Sequence, residues 1–138
     1  MLRLTRHMAP VVLAGLVVAC LSVAWAQEPS AKPVPRVIEI GTGAQDHVPL
    51  LSGPPGSVTM ESGVVTLQPG TTVGEHDTED YEEILLILEG QGAMILDDGR
   101  RLEMKAGNAA YCPPDTKHDV QNTGPGPLRY IYVAAKTR

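Results

Sequence analysis

The stretch from Gly70 to Gly90 carries the densest set of side chains that could hold a cation. It contains one histidine, His76, an apolar run before Gly90, and seven carboxylates: Glu75, Asp77, Glu79, Asp80, Glu82, Glu83 and Glu89. Imidazole and carboxylate groups are common ligands of divalent metals. The composition of this stretch therefore predicts a cation site more strongly than any other part of the chain.

Most of these carboxylates also have a plainer interpretation, which is a solvated acidic loop. Their negative potential would then attract cations and discourage anionic substrates without any direct coordination. A single histidine such as His76 is more often a surface residue than a ligand. The stretch therefore needs partners from elsewhere in the chain before it specifies a site.

The apolar run that ends this stretch is typical of a strand buried on both faces. On a strand His76 and Thr78 would share a face, and Glu83 would share one with Leu85 and Ile87. The opposite face is equally apolar, being formed by Ile84, Leu86 and Leu88. A strand that is apolar on both sides is covered on both sides. The outer face then needs either a second sheet layer or another subunit, and we expect a homodimer in which a second subunit covers it.

The rest of the chain predicts an all-β fold. Short β-type segments alternate with Gly/Pro turns, Asp97-Asp98-Gly99 has the composition of a tight hairpin turn, and no segment shows a sustained helical period with caps. This pattern favours a sandwich or barrel. The predicted strands cover residues 36–40, 47–51, 57–61, 64–67, 84–88, 93–96, 101–104, 109–112, 118–122 and 128–133.

Residues 1–26 have the pattern of a signal peptide: basic residues Arg3 and Arg6, a short apolar run, and the small-x-small end Ala24-Trp25-Ala26. A Pro-rich linker follows at 27–35, and 36–138 is the predicted barrel domain. This pattern predicts a periplasmic or secreted protein that is not held in the membrane once the signal is removed. The run before Cys20 resembles a lipobox, so a lipid anchor there is the minor alternative.

The charge balance limits the partners. Residues 1–26 hold two of the basic residues and no acid, so the remainder has 9 Lys+Arg against 16 Asp+Glu, a formal charge of −7. This disfavours nucleic acid and anionic membranes as partners and leaves a small-molecule ligand or substrate. Cys112 is then the only cysteine, so no intrachain disulfide is available.

Two spaced patterns resemble the cupin family. The first runs Gly70, five residues, His76-x-Thr78, four residues, Glu83, six residues, Gly90. The second runs Gly107, five residues, Pro113-x-Asp115, two residues, His118, three residues, Asn122. Each pattern departs from the family at one marked position: Thr78 stands where the family usually has histidine, and Asp115 where it usually has glycine.

The resemblance implies a small, RmlC-like jelly-roll barrel, or double-stranded β-helix. It also implies a divalent metal held by His76, Glu83 and His118. Two imidazoles and one carboxylate suit Fe²⁺ best, and Mn, Ni, Co or Zn also fit. Thr78 would then be a weak ligand or a residue that only lines the site. Its hydroxyl either opens a coordination position or lowers the metal affinity. Asp115 lies in a turn where aspartate is well tolerated.

The function stays open between two classes at this point. One is a metal-dependent enzyme on a small polar molecule, with an oxygenase favoured and a lyase or isomerase as the variant. The other is a non-catalytic binding or sensing module, because a weakened metal site suits binding better than turnover. Outside the motifs, we interpret His47 as structural and Cys112 as a small buried hydrophobe close to the second motif. The four tyrosines are interpreted chiefly as packing residues.

Overall fold

The computed structural model describes residues 32–42 and 46–137, and every regular element within these ranges is a β-strand. This confirms the all-β fold class. The strands are β1 His47–Ser52, β2 Glu61–Leu67, β3 His76–Asp77, β4 Tyr81–Glu89, β5 Gln91–Leu96, β6 Arg101–Lys105, β7 Ala109–Cys112, β8 Lys117–Asn122 and β9 Leu128–Lys136.

The strands form two antiparallel sheets packed face to face. The larger sheet has the order β1-β2-β9-β4-β7, and the smaller has the order β3-β8-β5-β6. The last strand, β9, pairs with both β2 and β4, and β8 pairs with both β3 and β5. This interleaving of early and late strands brings residues that are far apart in sequence onto one inner surface.

The core lies between the sheets and takes alternate residues from both. Leu85 and Ile87 point inward from β4 and meet Met94 of β5 and Val120 of β8. Burial of a side chain such as Leu85, which is 1% exposed, contributes about 1.5–3 kcal/mol to the stability of the fold. Aliphatic side chains, methionines and Tyr130 fill this core in place of the phenylalanine and tryptophan that many β-sandwiches use.

Several motif positions serve the backbone rather than chemistry. Gly90 joins β4 to β5 with φ of 78°, and a Cβ there would lie 2.1 Å from the carbonyl oxygen of Pro127. Asp115 also has a positive φ, of 55°, which aspartate tolerates better than most residues. The buried Asn122 side chain donates to the carbonyls of Leu67 and Gly126, both at 2.8 Å. The backbone roles of Gly90, Asp115 and Asn122 therefore account for three of the motif positions without a ligand.

Two predicted strands are wrong. Residues 36–40 form no regular element and pair with no strand of the described chain; Arg129 Nη2 instead donates to the carbonyls of Ile40 and Gly41, at 3.1 and 2.5 Å. Residues 57–60 belong to a compact loop that is closed by a hydrogen bond from the Gly53 N–H to the Met60 carbonyl, at 3.1 Å. Residues 36–40 have strand-type composition and residues 57–61 alternate polar and apolar side chains, but strand structure also requires a neighbouring edge.

The two faces of β4 differ in burial, and the inner face is the one that carries Leu85 and Ile87. Leu85 and Ile87 are 1% and 4% exposed, whereas the outward Ile84, Leu86 and Leu88 are 36%, 38% and 40% exposed. The homodimer that would cover the outer face stays a prediction. The predicted signal peptide and Cys20 lie outside the described residues. Among the residues that are described, no helix is long and apolar enough to cross a membrane.

Candidate metal centre

His76 and His118 are direct neighbours on the small sheet. They are paired residues of β3 and β8, and their ring centroids lie 4.3 Å apart. His118 is buried, whereas His76 lies at the exposed end of the site. The short strand β3 therefore places His76 beside His118, which is held inside the barrel.

Backbone carbonyls set the tautomer of both rings. His76 Nδ1 lies 2.9 Å from the Gly74 carbonyl oxygen, and His118 Nδ1 lies 3.3 Å from that of Thr116. Because a carbonyl only accepts, each Nδ1 carries the hydrogen in the neutral ring, and each Nε2 keeps its lone pair. Histidines that bind metals are commonly oriented in this way through their other ring nitrogen.

Glu83 reaches the same point from the large sheet. Its Oε2 lies 3.3 Å from His118 Nε2, and single ligand atoms of His76, Glu83 and His118 all lie within 4.8 Å of one another. His118 Nε2 is buried and has no hydrogen bond of acceptable geometry with any described residue, despite its closeness to the carboxylate. A buried lone pair without a donor suits a cation, so the residues present fit a divalent metal.

The protonation of His118 reflects these neighbours. Burial lowers the pKa of the ring, but the Glu83 carboxylate and the Thr116 carbonyl outweigh burial, so the pKa is raised above its ordinary value. The same carboxylate that stabilises a proton on His118 would stabilise a divalent cation in its place. Metal binding at this site would therefore compete with protonation of His118.

Thr78 has a different role from that of a ligand. Its side chain is 7% exposed, and its hydroxyl donates to the Pro113 carbonyl at 2.8 Å while accepting from the Thr116 N–H at 2.9 Å. Thr78 thus ties β3 to the turn that precedes His118, and the Thr116 carbonyl of that turn orients the His118 ring. The residue also lines a small depression beside His76 and Glu83.

Cys112 is 1% exposed, in agreement with its interpretation as a buried hydrophobe. Its Sγ lies 3.4 Å from His118 Nδ1, on the side of the ring away from Glu83. Burial first and the Glu83 charge second raise the pKa of the thiol to about 11. Cys112 is therefore a neutral packing group behind His118 at physiological pH.

Glu75, Asp77, Glu79 and Glu82 are exposed, as the plainer interpretation predicted, although Asp77 lies on β3 and Glu82 on β4 rather than in a loop. Glu75 pairs with Lys117 at 2.7 Å, Asp77 accepts from the Glu79 N–H at 2.8 Å, and Glu82 accepts from the Tyr111 hydroxyl at 3.2 Å. The structure therefore selects Glu83 alone from the acidic stretch to join the two histidines.

The three residues open onto a cavity of about 580 Å³. Its wall includes His47 and Tyr132, whose Nε2 and hydroxyl oxygen lie 3.1 Å apart. The interpretation of His47 as structural missed this pair, and the interpretation of the tyrosines chiefly as packing residues did not single out Tyr132. Only the register of β1, β2 and β9 brings it into the cavity, and no spacing in the sequence signals that register.

A profile of the cupin domain matches residues 63–134, more than half of the chain. The chain belongs to the cupin family. The match begins within β2 and ends within β9, so it includes both motifs and the whole candidate metal centre. The family resemblance inferred from the two motifs is thereby confirmed.

Two curated relatives match parts of this cupin. An uncharacterised protein of Methanocaldococcus jannaschii is 37% identical over 73 residues, covering 53% of this chain and 56% of that protein. The oxalate-binding protein of Thermotoga maritima is 36% identical over 67 residues, covering 49% and 54%. The chain thus spans about half the length of the curated relatives it matches.

Solved structures share the fold. A Bacillus halodurans protein superposes with a TM-score of 0.66 at 21% identity, covering 79% of this chain and 86% of its own. An RmlC-like cupin of M. jannaschii with a double-stranded β-helix gives 0.62 at 22%, covering 76% and 94%. A predicted oxalate decarboxylase of T. maritima gives 0.57 at 21%, covering 74% and 100%. At these identities the likeness shows the double-stranded β-helix fold and nothing finer.

Proposed function

We propose that this cupin is an exported, metal-dependent enzyme in which His76, Glu83 and His118 hold a divalent metal, with Fe²⁺ favoured. The observation that carries the proposal is the convergence of three ligand atoms within 4.8 Å at the wall of a cavity. Two imidazoles and one carboxylate are the ligand set of many non-haem Fe²⁺ oxygenases. Export rests on the pattern of residues 1–26 alone.

The chain's own residues would bind the metal and arrange its surroundings. Gly74 and Thr116 hold the two rings with Nε2 directed away from the backbone, and Glu83 supplies the single negative charge. When bound, a metal with three protein ligands would offer open positions for Lewis-acid or oxygen chemistry. The apolar wall contributed by Leu85 and Val120 would limit water around those positions.

A second candidate is a non-catalytic ligand-binding module. The name of the Thermotoga relative, oxalate-binding protein, favours it, since that protein is 36% identical over a segment of 67 residues. The position of Thr78 is compatible with both candidates, because its hydroxyl holds a turn rather than a metal. A lyase or isomerase is the remaining variant of the enzyme proposal.

Metal analysis of the protein, purified without a polyhistidine tag and reconstituted with Fe²⁺ or Mn²⁺, tests the proposal. We expect one metal per chain, and loss of that metal in Glu83→Ala and in His118→Ala. Glu82→Ala is the matched control, because Glu82 is the adjacent carboxylate on β4 and bonds to Tyr111 instead. Metal that stays far below one per chain after reconstitution would refute the proposal.

The loaded protein also separates the two candidates. Incubation with oxalate, followed by measurement of formate and carbon dioxide, asks whether a molecule linked to a relative is converted or only bound. Binding without conversion of oxalate, or of any other ligand found to bind, would favour the binding module. Export is tested independently by the N-terminal sequence of the protein recovered from the producing cells.

A further inference from the structure

The part of the cavity away from the metal centre is built around His47 and Tyr132. Both side chains project from the inner face of the large sheet, where His47 is paired with Val65, and Tyr132 with Gly63 and Leu85. His47 Nε2 and the Tyr132 hydroxyl oxygen lie 3.1 Å apart. Neither residue belongs to a motif, and neither contributes to the candidate metal centre.

Gly63 provides the space for this pair. A Cβ at Gly63 would lie 2.7 Å from Cε1 of Tyr132 and 2.8 Å from Nε2 of His47. A glycine within a strand usually weakens it, and often marks a place where another group approaches the backbone closely. Here the approaching groups are the two polar side chains, so any larger residue at position 63 would displace both of them.

Tyr132 lies close to the metal centre along the sheet. Glu83 is paired with Ala134 of β9, and Tyr132 is two residues away on the same face of that strand. Such diagonal neighbours are about 7–8 Å apart between Cα atoms. One ligand could therefore contact the metal centre and the Tyr132 hydroxyl together.

The wall between these two polar regions is apolar, and its charges are negative. The apolar side chains are Val65, Leu67, Val73, Leu85, Val120 and Tyr130. Outside the metal centre the charged members of the wall are Asp46 and Glu75, and no lysine or arginine is found among its described residues. The nearby Lys117 is paired with Glu75 at 2.7 Å. A second anionic group on a ligand would find no cation here.

We propose that the ligand of this cavity is a partly apolar oxygen chelator that carries no charge away from its metal-binding end. Its far end hydrogen bonds to the Tyr132 hydroxyl, which His47 holds in place, so these two residues determine specificity. This inference rests on the proposed metal site. A cavity of about 580 Å³ lies within the roughly 300–1,000 Å³ range of sites for drug-sized ligands, and a two-carbon dicarboxylate would leave most of it empty.

The test compares two probes on zinc-reconstituted protein after its metal content has been measured. One probe is 4-nitrocatechol, a coloured chelator with an apolar ring and a nitro group that accepts hydrogen bonds; the other is oxalate. We expect 4-nitrocatechol to bind at least tenfold more tightly. Tyr132→Phe and His47→Phe should each raise its Kd roughly three- to tenfold, the change that corresponds to one ordinary hydrogen bond, with metal content and oxalate Kd unchanged.

Tyr111→Phe is the matched control, because Tyr111 lies on the outer face and bonds to Glu82. It should leave both affinities unchanged. Gly63→Ala should reproduce the effect of losing the pair, and thermal unfolding of each variant shows whether it folds. Metal-loaded protein that binds oxalate more tightly, or whose 4-nitrocatechol affinity survives both Tyr132→Phe and His47→Phe, overturns this inference alone. Failure of the wild-type protein to hold metal overturns the proposed function as well.

Discussion

Replacing Thr78 with valine removes one oxygen atom while keeping the shape of the side chain. The hydroxyl makes two hydrogen bonds, donating to the Pro113 carbonyl at 2.8 Å and accepting from the Thr116 N–H at 2.9 Å. Valine can make neither, so a carbonyl and an N–H lose their partner. A buried group left unpaired costs about 1–3 kcal/mol. Because both groups are only partly buried, we expect Thr78→Val to lower the free energy of unfolding by about 2–3 kcal/mol.

The same substitution should weaken metal binding through His118. The Thr116 carbonyl orients the ring through Nδ1 at 3.3 Å, and loss of such an orienting contact commonly costs 10- to 100-fold in metal affinity. The Thr78 backbone N–H would still donate to the Thr116 carbonyl, at 3.1 Å, and the Cys112 sulfur would still support the ring. These remaining contacts place the expected loss near the lower end, at about tenfold.

Chemical denaturation of the metal-free protein measures the stability term, and competition with a chromogenic chelator measures metal affinity. Thr78→Ser is the matched control, since it keeps the hydroxyl and should retain most of both properties. A valine variant that unfolds at the same denaturant concentration as the serine variant, and binds metal equally well, would show that the hydroxyl does not position the turn. Lower stability with unchanged metal affinity would show a structural role only.

Three further predictions follow from other parts of the barrel. Burial raises the pKa of the Cys112 thiol from 9.0 to about 11. The protein should therefore have its full stability below pH 9 and lose about 2–3 kcal/mol of its free energy of unfolding between pH 9 and 11. Unfolding experiments should find this loss absent in Cys112→Ala. Gly90→Ala should lower the free energy of unfolding by at least about 3 kcal/mol, because a Cβ would lie 2.1 Å from the Pro127 carbonyl oxygen. Gly99 also has a positive φ but has open space around it, so Gly99→Ala should lower it by only about 1 kcal/mol, as thermal unfolding of the two variants will show. Light scattering should give a dimer mass for the wild-type protein and a monomer mass for Leu86→Lys, and a wild-type monomer at micromolar concentration would contradict the homodimer.

The fold was largely predictable because turn residues separate short β-type segments and because inward and outward residues alternate in strands such as β4 and β8. In β4 the alternation placed Leu85 inside and Leu86 outside correctly. The same rule failed at residues 57–60, where the sequence alternates but pairs with no strand edge, and the strand-type residues 36–40 likewise pair with no strand of the described chain. Period alone therefore predicts which face is buried more reliably than it predicts that a strand exists.

The candidate metal centre was predictable only through the two motifs. Glu83 and His118 lie on different sheets, and the family spacing, rather than any local property, connected them; that the group binds a metal stays a prediction. His47 could not be found in the same way. Its place in the cavity depends on the pairing of β1 with β2 and on the absence of a side chain at Gly63. Neither condition leaves a signal in the residues around His47.

The departure at Thr78 would change the number of ligands of a bound metal, while Thr78 still helps to position His118. In the family pattern this position usually supplies a histidine, whereas here its hydroxyl fixes the turn that orients His118. With Glu83 as the one charged ligand, a bound dication would keep a net positive charge and would favour an anionic oxygen donor. Beyond that donor the wall is apolar, and its remaining charges are negative. These electrostatics favour a ligand that is anionic only where it meets the metal, and they disfavour a ligand that carries a second anionic group at its far end.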